Sequence, residues 1–451
     1  MPPSQLSTAR HSTRWTRSRH ASRKSRSRAA SRRARASIHV SSVIFRKGLD
    51  LEEAVAATLA ADYDSAIVDE MTSDGFRRIR GRLTVHLAKE FGFCYGVDRA
   101  VDYAYQTRKR FPDRLVYLTG EIIHNPHVNE KLRAAGIRFL SDPGERGQPP
   151  GPDAVVIIPA FGVTIKELAE YDRLGCTLVD TTCGSVLNVW KNVERYASDG
   201  FTALIHGKVH HEETRATASQ TLKYPAGRFL VVLDLDQARR VCDYVRAGGD
   251  REAFLAEFHD AASDGFDPDS DLERIGLANQ TTMLMSESLE ISELCRQAMI
   301  ERYGKASLDG HYRAFDTICS ATQDRQDAVR GLLAQQRLDL MIVVGGYNSS
   351  NTRNLARMCS THLPTYHVAD AESLCSASQI RHRPVDAPLS NVALPRREQE
   401  VAADDWLARN GQLAVGLTAG ASTPNNIIGQ VVQRLEQFTS DTRSGPDSDP
   451  R

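Results

Sequence analysis

The sequence has no apolar run of the ~18 residues a membrane-spanning helix needs. Its best candidate, Val155–Val163, is broken by Pro159 and Gly162. Cysteine is scarce, eight in 451 residues, which excludes a disulfide scaffold. No two are spaced C-x-x-C, so zinc ribbons, thioredoxin-like motifs and the clustered ferredoxin signature find no support. No G-x-G-x-x-G follows an expected strand, so a built-in nicotinamide or flavin is not indicated. Acidic residues are missing from positions 1–47, which hold 13 Lys/Arg; the first acid is Asp50. The formal net charge of 0 hides this asymmetry. Beyond residue 47, the remaining 44 basic residues face all 57 acidic ones, a net charge of −13. Such a body does not bind nucleic acid through a basic surface.

What is present begins with that N-terminal segment. Arg-rich, Ser-rich and acid-free, residues 1–47 have the composition of an organelle transit peptide; the alternative is a basic arm. Residues 48–81 form a variable extension, weakly helical over 51–61. From residue 82, short β-rich runs alternate with helical ones. Strands are expected at Leu83–Leu87, Leu115–Leu118, Val155–Ile158, Ala203–Ile205, Phe229–Leu233, Met341–Val344, Thr365–Val368 and Leu413–Leu417. Helices are expected at Val97–Arg110, Ser185–Ala197, Leu284–Tyr303, Gln323–Gln336 and Ile427–Phe438. The alternation predicts an α/β fold with largely parallel sheets. Pro/Gly/acid-rich stretches at 141–153, 247–273 and 376–404 read as surface insertions, and 438–451 as a disordered tail.

Polar residues gather where strands end. Glu121, His124 and Asn125 follow one strand; Cys183 another; His206, His210, His211 and Glu213 a third. Thr281, the Ser349-Ser350-Asn351 run and Ser422 follow three more. In open α/β sheets ligands bind at the carboxyl ends of strands, so these loops predict one convergent site. Cys94, Cys183 and Cys319 fall one in each third of the body. Three soft thiolates could hold an iron–sulfur cluster, or zinc with a fourth ligand from histidine. The plainer reading is three small core residues. The Ser/Asn loops suit either phosphate binding at helix N-termini or simple N-capping.

Eight motifs occur in order: Gly-Phe-Cys94-Tyr-Gly-Val-Asp-Arg-Ala, His124-Asn-Pro-His-Val, Val-Asp-Thr-Thr-Cys183, His211-Glu-Glu213-Thr, Asn-Gln-Thr281-Thr, Asp-Thr-Ile-Cys319-Ser-Ala-Thr-Gln-Asp-Arg-Gln, Asn-Ser349-Ser350-Asn351 and Thr-Ala-Gly-Ala-Ser422-Thr-Pro. Together, over about residues 83–437, they resemble the 4-hydroxy-3-methylbut-2-enyl diphosphate reductase family, which catalyses the last step of the methylerythritol phosphate route to isoprenoids. The resemblance implies three α/β units with pseudo-threefold symmetry around a central cavity, here divided as 82–183, 184–318 and 319–437. It implies an iron–sulfur cluster, [4Fe-4S] in the active form, held by Cys94, Cys183 and Cys319 with one iron open to substrate. Glu213 matches the proton-delivering glutamate. His124, His211, Thr281, Ser349, Ser350, Asn351 and Ser422 match the substrate-binding set.

One departure stands out. Many bacterial members carry a histidine in the loop that here reads Ile158-Pro159-Ala160-Phe161-Gly162-Val163. The Pro-Ala-Phe-Gly form resembles the cyanobacterial and plant-type branch, which makes residues 1–47 a plastid transit peptide, with mitochondrial import the alternative. The resemblance further implies reductive dehydroxylation of the allylic diphosphate to isopentenyl and dimethylallyl diphosphate, with ferredoxin as electron donor. It points to no nucleic acid and no membrane, and allows a homodimer. The competing readings are a non-catalytic iron–sulfur or zinc module and a zinc hydrolase with Glu213 as base.

Overall fold

The computed structural model describes residues 43–145, 147–315, 318–387, 396–407 and 411–440. The expected transit segment to residue 42, the tail from 441 and part of the 376–404 stretch lie outside the described residues. Three predominantly parallel sheets form the frame. The first runs Ile44–Phe45, Thr177–Asp180, Val155–Ile158, Val116–Leu118, Arg138–Phe139 in spatial order. The second runs Tyr312–Ala314, Ile275–Asn279, Thr202–His206, Phe229–Val232. The third runs Thr365–Val368, Leu340–Val344, Leu413–Ala419, Leu83–Leu87, with Arg77–Arg80 antiparallel at its edge. Helices cover the parallel strands on both faces. That is why runs such as Val155–Ile158 and Leu340–Val344 are buried at every position and read as continuous apolar sequence.

Each unit is joined to the next by the same device. A strand of one sheet ends, a cysteine follows, and a helix begins that packs on another sheet. Leu83–Leu87 in the third sheet leads to Cys94, and the helix Tyr95–Arg110 buries Ala100, Val101 and Ala104 in the first core. Thr177–Asp180 in the first leads to Cys183, and Gly184–Ser198 buries Val189, Val193 and Tyr196 in the second. Tyr312–Ala314 in the second leads to Cys319, and Ser320–Gln335 buries Val329 and Leu332 against Met341 and Val343 of the third. Every expected strand and helix is present to within a few residues at its ends.

The linear division differs from the structure in five places. Leu83–Leu87 does not belong to a first unit over 82–183. It pairs with Leu413–Leu417 and packs Leu83, Val85 and Leu87 beside Ile342, Val415 and Leu417, because a ring of three units closes by returning the N-terminal strand to the last sheet. Ile44–Phe45, counted within the transit segment, pairs with Leu178 and Val179 at the edge of the first sheet. The 48–81 extension is built into the body. Val68 and Met71 of its helix Ala66–Ser73 are buried in the third core, and Leu49 N–H donates to Gln106 Oε1 at 3.1 Å. Within 247–273, Phe254, Phe258 and Phe266 are core residues of the second unit rather than a surface loop, since together they cover Tyr244 and Leu272. The last helix continues through Ser440, so the tail boundary moves beyond 438.

Candidate functional site

The three strand–cysteine–helix junctions meet at one cavity, where the free space is about 80 Å3. Cys94, Cys183, Cys319, His124, His211, Glu213, Thr281, Ser349, Ser350, Asn351 and Ser422 all line it. Every residue that the resemblance assigned to the site is therefore brought together, and Phe161 joins them, whereas Glu121, Asn125, His206 and His210, which also follow strand ends, are not among the lining residues.

Each cysteine is the N-cap residue of its helix, with extended backbone angles. The first-turn N–H groups of a helix favour negative charge, so the three helix starts suit an anionic group bound between them. Cys319 Sγ accepts the Thr322 N–H at 3.3 Å. Cys183 Sγ comes so close to the helix that follows Cys94 that only glycine fits at position 96; a Cβ there would lie 2.5 Å from the sulfur. Burial pushes the thiol pKa of Cys94 upward and that of Cys319 to about 11. Binding a cationic centre would therefore expel protons from these thiols. Arg325 supplies fixed positive charge nearby, and both Cys94 and Cys319 feel it. It is buried, donates to the carbonyls of Gly92 and Phe91, and keeps Nε without a partner among the described residues.

The donor set discriminates between metals. Around a single tetrahedral zinc with Zn–S near 2.3 Å, ligand sulfurs sit about 3.8 Å apart. The three cysteine sulfurs are not all within 4.8 Å of one another. That spacing does not match one zinc ion held by all three thiolates and leaves room for a larger, polynuclear group.

Opposite the thiols lies the polar end. His211 caps the helix Glu212–Ser219, its Nδ1 accepting the Glu213 N–H at 3.1 Å. Its Nε2 faces His124 Nε2 at 3.0 Å, and His124 Nδ1 lies 2.8 Å from Glu121 Oε2. Burial, with the charges of His124 and Lys208, holds the His211 pKa well below the ordinary imidazole value. Burial also opposes charge on His124, but Glu121 and Glu212 outweigh it and carry its pKa upward. His124, His211 and Glu212 could together hold a metal ion, yet the two imidazoles already bond each other. Phe161 stacks on the His124 ring at 4.5 Å and 26°, and meets His211 edge-on at 5.2 Å.

The Glu213 side chain is 2% exposed, and its Oε1 accepts the Thr281 N–H at 2.6 Å. Burial raises its pKa to about 7 against that hydrogen bond. Ser349 caps its helix through the Thr352 N–H, so the N-capping expectation holds there without removing it from the cavity wall. Asn351 Oδ1 accepts the Ala421 N–H at 3.1 Å, which leaves its buried Nδ2 without a partner among the described residues and available to an anion. Ser422 Oγ donates to the His124 carbonyl at 3.3 Å, and Gly346 has no room for a Cβ, which would fall 2.3 Å from that oxygen. Arg325 and the Phe161 stack escaped the sequence reading as site features. Arg325 stood in the Asp-Arg-Gln of the Cys319 motif, but six positions after the cysteine it lies about 120° away around the helix, so periodicity does not point to it.

The family model described as LytB protein matches residues 85–436. A 4-hydroxy-3-methylbut-2-enyl diphosphate reductase of Gloeobacter violaceus is 46% identical over 409 residues, covering 89% of this chain and 94% of its own. The protein of that name from Thermosynechococcus vestitus is 43% identical over 402 residues, covering 88% and 96%. The solved structure of the E-1-hydroxy-2-methyl-but-2-enyl-4-diphosphate reductase from Plasmodium falciparum shares the fold, with a TM-score of 0.54 at 21% identity over 77% of this chain and 86% of that one. These matches, which cover most of the chain, make it a member of the LytB family.

Proposed function

We propose that this chain reduces (E)-4-hydroxy-3-methylbut-2-enyl diphosphate to isopentenyl and dimethylallyl diphosphate. Its class is that of an oxidoreductase of the non-mevalonate route, and enzymes of this family use an iron–sulfur cluster. The observation that carries the reading is the meeting of three N-cap cysteines with a buried, high-pKa glutamate at one cavity. Cys94, Cys183 and Cys319 would hold a [4Fe-4S] cluster with one iron free of protein ligands. Bound there, the cluster supplies two electrons, one at a time, for cleavage of the allylic C–O bond.

The chain's own residues do the rest. Asn351 Nδ2, the Ser349 and Ser350 hydroxyls, Ser422 and the two imidazoles bind the diphosphate and replace its lost hydration. Phe161 excludes water from the imidazole pair. Glu213, part-protonated near neutrality, delivers the proton that turns the departing hydroxide into water, and a second proton, taken up from the medium at one or other end of the two-electron-reduced allyl group, forms the C–H bond of each product. Thr281 holds that carboxyl in place through its N–H. The absence of nicotinamide and flavin motifs leaves the electrons to an external carrier, ferredoxin in our reading.

We assign the protein to plastids on the composition of residues 1–47, with mitochondrial import as the alternative. No helix among the described residues is long and apolar enough to cross a membrane. The experiment is anaerobic purification with iron analysis, visible absorption and product identification using an artificial one-electron donor. Cys94→Ser, Cys183→Ser and Cys319→Ser should each lose most iron and all activity, whereas Cys359→Ala, in the third core, should keep both. Full iron in any of the first three overturns the ligand assignment. A reporter fused to residues 1–42 should enter plastids; nuclear accumulation would favour a basic arm.

A further inference from the structure

The cavity that would take the diphosphate has no lysine or arginine among its lining residues. His211 is held neutral, and Phe161 contributes no charge. A diphosphate brings several negative charges into this enclosure, and dehydrating them without fixed countercharge is costly. The countercharge lies on the other side of one wall. A second cavity of about 320 Å3 is lined by Lys208, Arg353 and Ser350, and Ser350 lines the substrate cavity as well. The frame between them is continuous. Lys208 N–H donates to Gln280 Oε1 at 3.1 Å, and Gln280 Nε2 donates to Ser350 Oγ at 3.4 Å.

The Lys208 ammonium is largely enclosed, and among the described residues it has no hydrogen-bond or ion-pair partner. The strongest charges it feels are those of Arg353 and Arg383, both like its own; Glu212 is the opposing carboxylate. Burial and the two guanidiniums bring its pKa down to about 8. Arg353 in turn feels Arg383 and Arg357, with Asp386 opposing. Asp234, Glu287 and Asp386 also line this cavity, with Arg357 as a further cation. Asp234 caps the helix Leu235–Ala247 through the Gln237 N–H at 2.9 Å, and Glu287 feels Arg357. Lys208, Arg353 and Arg383 thus repel one another in a poorly solvated place, a repulsion that an anion brought alongside would relieve. Both His124 and His211 feel the Lys208 charge, so its field reaches the diphosphate end of the substrate cavity.

We propose that Lys208, backed by Arg353 and Arg383, is the positioning residue whose fixed charge draws the substrate's diphosphate against Ser349, Ser350 and Asn351. The inference rests on the diphosphate-reductase reading. It assigns Lys208 to binding and not to the chemical step, because the residue lines the second cavity and not the one lined by Glu213 and the thiols.

The test uses cluster-loaded holoenzyme with an artificial donor. Lys208→Gln should raise KM about tenfold and leave kcat within twofold, the mark of lost binding that is equal in ground and transition states. Competitive inhibition by inorganic pyrophosphate should weaken in parallel, and Lys208→Arg should restore most of both. Added salt should raise the parent's KM more steeply than the variant's. KM and pyrophosphate inhibition within twofold of the parent would overturn the proposal, as would a fall in kcat alone. Where Lys208→Gln loses its cluster absorption, Arg353→Gln, on a different element, decides by the same criteria. A parent enzyme that binds its cluster but does not reduce the diphosphate refutes the functional reading instead.

Discussion

His211 donates its Nε2 proton to His124 Nε2 across 3.0 Å, a direction fixed from behind because His211 Nδ1 accepts the Glu213 backbone N–H. His124 Nε2 is then an acceptor, and its proton sits on Nδ1 toward Glu121. A second proton on His124 would set two N–H groups against each other, although Glu121 and Glu212 favour that charge. The rings must part before His124 can become a cation. Substrate binding, by inserting phosphate oxygens between them, is expected to take up a proton near pH 7. Calorimetric titration with substrate in buffers of different ionisation enthalpy measures this. His124→Gln should abolish the uptake, and substrate binding without proton exchange in the parent would refute the sequence of events.

Glu213 couples the site to stability as well as to rate. Its folded pKa of about 7 lies above the unfolded value near 4.5. The folded state therefore binds the extra proton between those values, and stability falls as pH rises from about 4.5 to 7. The full loss is on the order of 3 kcal/mol. Glu213→Gln removes this penalty. It should melt higher than the parent at pH 8 and close to it at pH 4.5. Its single-turnover rate should drop roughly 10²-fold or more, while substrate still perturbs the cluster spectrum. In the parent, rate should decline above pH 7 as the donor ionises. A Glu213→Gln variant with parental turnover would make Glu213 a bystander.

Much of this was legible in the sequence, for identifiable reasons. Strands such as Val155–Ile158 and Leu340–Val344 are buried on both faces, so local composition alone marks them. The site residues all follow strand ends, and that placement survives without tertiary information. What stayed hidden is non-local. Leu83–Leu87 finds its partner about 330 residues later, and no local pattern says which sheet receives it. Ile44–Phe45 is two residues long, too short to show periodicity beside an Arg-rich stretch. Phe254 and Phe258 sit in an acid-rich segment that looks solvated until the second core is assembled around them. Lys208 and Arg353 become one feature only because a loop after Thr202–His206 meets the helix Ser350–Ser360.

Phe161 is expected to set how tightly the imidazole pair is held. Its stack on His124 and edge contact with His211 are each worth roughly 0.5–1.5 kcal/mol beyond area burial. Phe161→Leu keeps apolar volume and loses the flat face. It should raise substrate KM about three- to tenfold with iron content unchanged. Phe161→Tyr should stay near the parent if its hydroxyl can reach the open cavity. An unchanged KM in Phe161→Leu would show that the ring merely fills space.

Arg325 should act on the electrons. Its guanidinium is buried, sits within electrostatic reach of Cys94 and Cys319, and keeps a buried Nε without a partner among the described residues. A fixed positive charge near a redox centre favours the reduced, more negative state. Removing it should make reduction harder. Arg325→Gln keeps part of the hydrogen bonding to Gly92 and Phe91 and loses the charge. Its cluster should titrate at a potential lower by tens of millivolts. Arg325→Lys restores charge without the planar fork and should recover part of that shift. Potentiometric titration of the visible absorption, on samples matched for iron, reads the effect. If the Gln variant holds full iron at the parental potential, Arg325 serves only to tie the Cys319 helix to the loop before Cys94.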